Sequence, residues 1–204
     1  TPNMAGKQLA IRKKALTIGL ILIAEGNAFF DDVIRGVQSA EKELQDYGVT
    51  VQIKTMKGYN VYRQLQLIDE IKDKVDALII NPISVPAIAT KIDELVEGGL
   101  CVITVNTDIE NSKRLCYIGS NYTRCGQTAC GVLGLLTGGR AHIGILTGSN
   151  KVLGHNERIK GFKEVCKKKY PAFKIVGYGE TEDDDIKAFE VTNKLLSEHP
   201  EMDA

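Results

Sequence analysis

Leu16-Thr-Ile-Gly-Leu-Ile-Leu-Ile-Ala24 is apolar at nearly every position and opens directly into Glu25-Gly-Asn-Ala-Phe-Phe-Asp-Asp32. A strand with apolar side chains on both faces has to be covered on both faces, which is the condition of a parallel sheet between helix layers. Working outward, further Val- and Ile-rich runs are read as strands at 50–56, 77–81, 101–105, 115–118, 141–146 and 173–178. Segments of helical period lie between them, and Gly, Pro, Asn or Asp marks each switch. Phe30, Val33, Ile34, Val37 and Leu44 form one apolar stripe. Val61, Leu65, Ile68 and Ile71 form a second, and Ile88, Ile92 and Leu95 a third. This alternation predicts an α/β fold built on parallel sheets.

A second round of the same order begins after Ile118, with helices over 121–136, 155–169 and 183–198 around strands 141–146 and 173–178. The expected organisation is a leader over 1–15, a first lobe over 16–119 and a second over 120–204, with a crossover near Tyr117–Asn121. Each lobe is a parallel sheet with helices on both faces. A cleft between two such lobes is a natural small-molecule site. Val75-Asp-Ala77 introduces the strand Leu78-Ile-Ile80, and the chain ends on the similar Met202-Asp-Ala204. The expectation is therefore that the second lobe is truncated here and continues in the natural protein.

The formal charge of zero conceals two regions. Lys7, Arg12, Lys13 and Lys14 give the first fourteen residues +4, while the other 190 hold 22 bases against all 26 acids. An acidic body gives no broad attraction for DNA, so any phosphate contact is expected from the leader, whose other reading is a solvated tail. No run approaches the ~20 apolar residues of a membrane span. Leu16–Ala24 lacks the cleavage site of a secretory signal. Cys101, Cys116, Cys125, Cys130 and Cys166 have no metal-ligand spacing and are read as buried thiols of a reducing cytoplasm. No metal or cofactor is expected.

Open parallel sheets bind ligands at the carboxyl ends of their strands. The loops there carry Asn27, Phe29 and Phe30 after the first strand, Tyr59 after the second, Ser84 after the third, and Asn106 and Asp108 after the fourth. Planar hydrogen-bonding groups beside aromatic rings suit a sugar, whose hydroxyls want bidentate partners and whose C–H face wants a ring. Structural roles compete at each position. Asn27 also serves to start its helix, Phe29 and Phe30 to fill a core, and Ser84 before Pro86 to begin a helix. Asn106 and Asp108 suit turns. Arg158 faces the proposed cleft from a first helical turn, whereas His155 reads as a helix-start residue and Asp183–Asp185 as a helix N-terminus rather than a metal site. No nucleophile elbow, phosphate-cradling glycine loop or catalytic acid pair is present at the strand ends, so an enzyme is not expected.

Asn27-Ala-Phe-Phe30, Val102-Ile-Thr-Val-Asn-Thr-Asp108, Ile118-Gly-Ser-Asn-Tyr122 with Cys125-Gly126, and Glu157-Arg-Ile-Lys-Gly-Phe162 occur in the order found in the lactose-repressor (LacI-type) family. The resemblance extends to the related periplasmic sugar-binding proteins and spans essentially the whole chain. It implies a two-lobed, periplasmic-binding-protein-like type 1 fold. Asn27 and Phe29 or Phe30 then look like first-lobe sugar contacts, Arg158 like the second-lobe arginine and Asn121 like a polar crossover contact. Asn106 stands where many sugar binders carry an acid. Pro2–Ala10 resembles the regulators' hinge helix, with Leu9 as the minor-groove wedge and Asn3 and Lys7 near phosphates. On this resemblance the chain is expected to be the effector-binding core of a cytoplasmic, homodimeric transcription regulator that couples a sugar to operator DNA. The alternative is a sugar-binding protein of a transport system.

Overall fold

The computed structural model describes residues 15–204, and the leader expectations at Asn3, Lys7 and Leu9 lie outside the described residues. Strands β1 (Leu16–Leu22), β2 (Val49–Thr55), β3 (Ala77–Ile80), β4 (Cys101–Val105) and β5 (Cys116–Ile118) form a parallel sheet in the order β2-β1-β3-β4-β5. β6 (Arg140–Thr147) and β7 (Ala172–Glu180) pair in parallel as a second sheet. Helices α1 (Phe29–Glu43), α2 (Val61–Ile71) and α3 (Pro86–Glu97) belong to the first sheet, and α4 (Tyr122–Leu136), α5 (Leu153–Lys169) and α6 (Asp185–Glu198) to the second.

The double-faced apolarity of the strands is used in full. Leu20 and Leu22 of β1 pack under α1 with Phe30, Val33, Ile34 and Val37. The intervening Ile21, followed by Ile23, faces α2 and α3 in a cluster with Ile68, Ile80, Ile88 and Ile92. Fully burying each such side chain contributes roughly 1.5–3 kcal/mol. Leu44 does not complete its stripe: α1 ends at Glu43, and Leu44 is left 39% exposed.

Helix starts follow side-chain capping. Asn60, Asn121 and Asp184 accept hydrogen bonds from Arg63, Arg124 and Lys187 amides at 3.0, 2.9 and 3.0 Å. Pro86 occupies the first turn of α3, where a missing N–H costs nothing.

One buried polar side chain fixes the loop that ends β3. Gln64, with no exposed surface, donates from Nε2 to the Asn81 carbonyl at 2.9 Å and accepts from the Ile83 amide at 2.8 Å through Oε1. Removing the amide would orphan two buried backbone groups at about 1–3 kcal/mol each. Gln64→Leu is therefore expected to lower unfolding free energy by about 2–4 kcal/mol in urea titrations, with little change in the slope of the transition.

Candidate functional site

Because β1 is flanked by β2 on one side and β3 on the other, the connections leaving it diverge and open a crevice at the carboxyl edge. The ends of β6 and β7 face this crevice from the second sheet, and a cavity of about 160 Å³ lies between them. From the first sheet it is lined by Ile23, Asn27, Phe29, Phe30, Tyr59, Asn81, Asn106 and Thr107. Tyr122, Val152, Gly154, His155, Arg158 and Asp183 line it from beyond the crossover. A neighbouring cleft of about 450 Å³ shares Ile23, Asn27, Tyr59 and Asp183.

Phe30 is 4% exposed and belongs to the core, whereas Phe29, edge-on to it at 5.1 Å between centroids, is 60% exposed and offers an apolar surface to the crevice. Asn27 accepts the Phe29 amide through Oδ1 at 3.1 Å, which shapes the turn and leaves its NH₂ to donate elsewhere. Asn106 adopts a left-handed backbone, φ 65°, a conformation Asn tolerates better than most residues. Two tyrosines hold it there: Tyr117 donates to its carbonyl at 2.8 Å, and Tyr122 donates to the carbonyl and, at 2.8 Å, to Oδ1. The Arg158 guanidinium lies 4.3 Å from the centroid of the Tyr122 ring. It sits in the second turn of α5, since that helix begins at Leu153, two residues ahead of the expected start.

The other three expected contacts have structural duties and do not line the cavity. Asp108 accepts from Thr104 Oγ1 at 2.8 Å, from the Ile109 amide at 2.9 Å and from Arg114 Nη2 at 2.6 Å. Asn121 is spent on capping α4. Ser84 does not cap α3. Its hydroxyl donates to the Asp108 carbonyl at 2.9 Å and accepts the Leu153 amide at 3.0 Å. Thr107 Oγ1 accepts the next amide, Gly154, at 3.1 Å. No residue of α5's own approach caps it through a side chain, so the first two amides of this helix are satisfied from the opposite sheet. Tyr59 adds another bond across the cleft by donating to Asp183, and burial followed by this acceptor pushes the phenol well above its usual range.

Asn81, Thr107, Tyr122, His155 and Asp183 join the cavity without having been expected there. Asn81 follows the same rule as Asn106, a polar residue at a strand's carboxyl end. Its Oδ1 is buried and has no hydrogen-bond partner among the described residues. Asp183 is set apart from the capping Asp184 by its positive φ of 55°, a local feature that a run of three acids does not reveal. Among the described residues no group of three His, Cys, Asp or Glu is placed to hold a metal ion.

His155 sits half-buried, with Nδ1 3.0 Å from the Ser149 amide and its ring edge-on to Tyr59. Burial is the largest cause lowering its pKa below the ordinary 6.5. A base whose folded pKa is depressed stabilises the fold above its unfolded pKa and loses that contribution as pH falls through the folded value. Stability is thus expected to decline on acidification below about pH 6.5, and His155→Gln to flatten that decline in denaturation curves recorded from pH 7 downward. The trans-capping is also testable. Ser84→Ala removes a bond of the N-cap kind worth about 0.5–2 kcal/mol, so hydrogen exchange at the Leu153 amide should accelerate several-fold while β1 amides keep their protection.

Residues 18–204 match a family model described as a periplasmic binding protein domain. Over 203 residues the chain is 28% identical to the ribose import binding protein RbsB of Bacillus subtilis (strain 168), of which it spans 65% of the length. The fold matches GanP, a glucose-galactose binding protein from Geobacillus stearothermophilus, with a TM-score of 0.86 and 26% identity, over 93% of this chain and 67% of that one. It also matches an ABC transporter solute binding protein from Burkholderia graminis C4D1M in complex with D-arabinose, with a TM-score of 0.85 and 27% identity, over 93% and 64% of the respective chains.

These relatives support the type 1 periplasmic-binding-protein-like α/β fold and correct two expectations. The transcription-regulator reading, with its operator DNA, gives way to the transport alternative, because the proteins matched are named for import and solute binding. The cytoplasmic placement falls with it. Neither is supported by the residues of the core, whose ordered motifs resemble both branches. The regulator reading rested on the resemblance of Pro2–Ala10 to a hinge helix in a basic leader, and the homodimer expectation has no support in the comparisons.

Proposed function

Because the chain belongs to the periplasmic binding protein domain family, we propose that it is the sugar-binding component of an import system, working outside the cytoplasm and holding one monosaccharide between lobes formed by residues 16–119 and 120–204. The observation that carries this reading is the composition of the cavity. Exposed Phe29 supplies a ring for the C–H face of a sugar, and Asn27, Asn81, Asn106 and Arg158 surround it with planar hydrogen-bonding groups. Such pairing of an aromatic face with amide and guanidinium edges fits a ring that is apolar above and polar around its rim. The cavity is smaller than those that take drug-sized ligands, which favours a single sugar unit.

Each polar group has a distinct part. The Asn81 Oδ1, buried without a partner among the described residues, is an acceptor for a ligand hydroxyl, and satisfying it relieves a desolvation cost of about 1–3 kcal/mol. Asn27 and Asn106, whose Oδ1 atoms are already engaged, donate through their NH₂ groups. Arg158, resting on Tyr122, supplies charge-assisted donors with a preset orientation. The sugar leaves chemically unchanged, since the role is capture and delivery to a membrane transporter.

Isothermal titration calorimetry with D-ribose, D-arabinose, D-xylose, D-glucose and D-galactose tests the reading. At least one sugar is expected to bind saturably with one site per chain. Arg158→Ala should weaken it about 10–100-fold, as expected for loss of a hydrogen bond from a charged donor, and Asn81→Leu should do so comparably. Absence of saturable heat for every sugar at millimolar concentration would overturn the assignment.

A further inference from the structure

Two thiols in the second lobe take no part in the site. Cys130 on α4 is fully buried, Cys166 on α5 is 8% exposed, and their Sγ atoms are 3.2 Å apart. The other three cysteines, Cys101, Cys116 and Cys125, are exposed. The close pair is a product of how α4 and α5 meet. A Cβ at Gly126 would overlap the Arg158 carbonyl oxygen and one at Gly161 the Thr123 carbonyl oxygen, so the two backbones touch.

The seam is periodic. Gly126, Cys130 and Gly134 follow one another at intervals of four on α4, as do Phe162 and Cys166 on α5 and Tyr170 at its C-terminal cap. Residues four apart lie on one face of a helix, so the two rows run side by side. Gly134 makes room for the Tyr170 ring, and Gly126 lies against the backbone at Phe162. Between these small-against-large contacts, the middle position holds a cysteine on both helices. Ala141, Ile143, Phe173 and Val165 surround the pair with apolar surface and supply no other partner for either sulfur.

We propose that Cys130 and Cys166 are a disulfide-forming pair that staples α4 to α5. The sulfurs need approach by only about 1.2 Å to reach a bond length of about 2.05 Å. In the step itself, the thiolate of one cysteine attacks a low-molecular-weight disulfide such as oxidised glutathione, and one glutathione thiolate leaves. The second cysteine then displaces the remaining glutathione, forming the Cys130–Cys166 bond. Two electrons pass to the oxidant, and the two protons given up by the cysteines end on the released glutathione thiols. Burial, and then the neighbouring Cys130, push the Cys166 thiol up to about 12, so the folded protein holds little thiolate there. Oxidation accordingly takes place while the chain folds, and burial afterwards shields the bond from reductant. The pairing does not depend on the sugar-import reading, because it needs only a disulfide oxidant in contact with the folding chain.

The test is to refold the protein in reduced and oxidised glutathione and count thiols in denaturant. A variant with Cys101, Cys116 and Cys125 all changed to Ser isolates the pair. It is expected to show no free thiol after oxidative refolding, two after refolding in reductant, and an intact mass lower by two hydrogens in the oxidised form. In wild-type protein, a non-reducing peptide map should join the Cys130 and Cys166 peptides, and the thermal midpoint should rise by roughly 5–10 °C over the reduced form. Cys130→Ser should abolish both the joined peptide and the rise. Two free thiols after oxidative refolding of the triple variant, or wild-type bridges that avoid Cys130 and Cys166, would overturn the proposal.

Discussion

The start of α5 is the joint on which the rest of the binding architecture depends. Its first two amides, Leu153 and Gly154, are satisfied by Ser84 and Thr107 of the opposite sheet. A helix terminus left without partners is costly, so the start of this helix is satisfied through its contact with the first sheet. The Ser84 amide donating to the Lys151 carbonyl at 2.8 Å reinforces the same seam. What α5 brings to the cavity, Gly154 and His155 at the start and Arg158 one turn on, is therefore positioned relative to the first sheet by these hydrogen bonds. A ligand that binds both lobes favours the arrangement in which the cap is made, by as much as it prefers that arrangement.

The carboxyl end of the first sheet is held rigid from both sides of the crossover. Asn106 is held in a left-handed conformation by Tyr117 and Tyr122, and the Tyr122 ring also lies beneath Arg158. One aromatic residue thereby orients both Asn106 and Arg158 at the cavity wall. Gln64 does comparable work behind Asn81, since it pins the backbone on both sides of Pro82. Strained or buried polar groups of this kind persist where the surroundings over-determine them, and here they point into one cavity.

Most of the fold was legible in the residues. Strands apolar on both faces force helices onto both faces, and every expected strand is found within a few residues of its place. The lining of the cavity was legible in the loops that follow strand ends, as at Asn27, Tyr59 and Asn106, and for Arg158 on its helix. Ser84, Asp108 and Asn121 carry equally suitable side chains, yet their hydrogen bonds go to the Leu153 amide, Arg114 and the α4 terminus. Sequence order does not say which of two nearby polar residues turns inward. Asp183 was hidden for the converse reason, because a positive φ separates it from the acid that caps α6. The regulator expectation fails because the core motifs resemble regulators and transport binding proteins alike, and a short leader is too little to separate the two.

On the proposed function, one sugar occupies the cavity between the two sheets and draws the α5 start against Ser84 and Thr107. Hydrogen-exchange mass spectrometry with and without a saturating sugar tests it most directly. Slowed exchange is expected in two separate segments at once, the β1–α1 loop around Asn27–Phe30 and the first turns of α5 around Leu153–Arg158. Binding that protects one lobe alone, or neither segment, would contradict it.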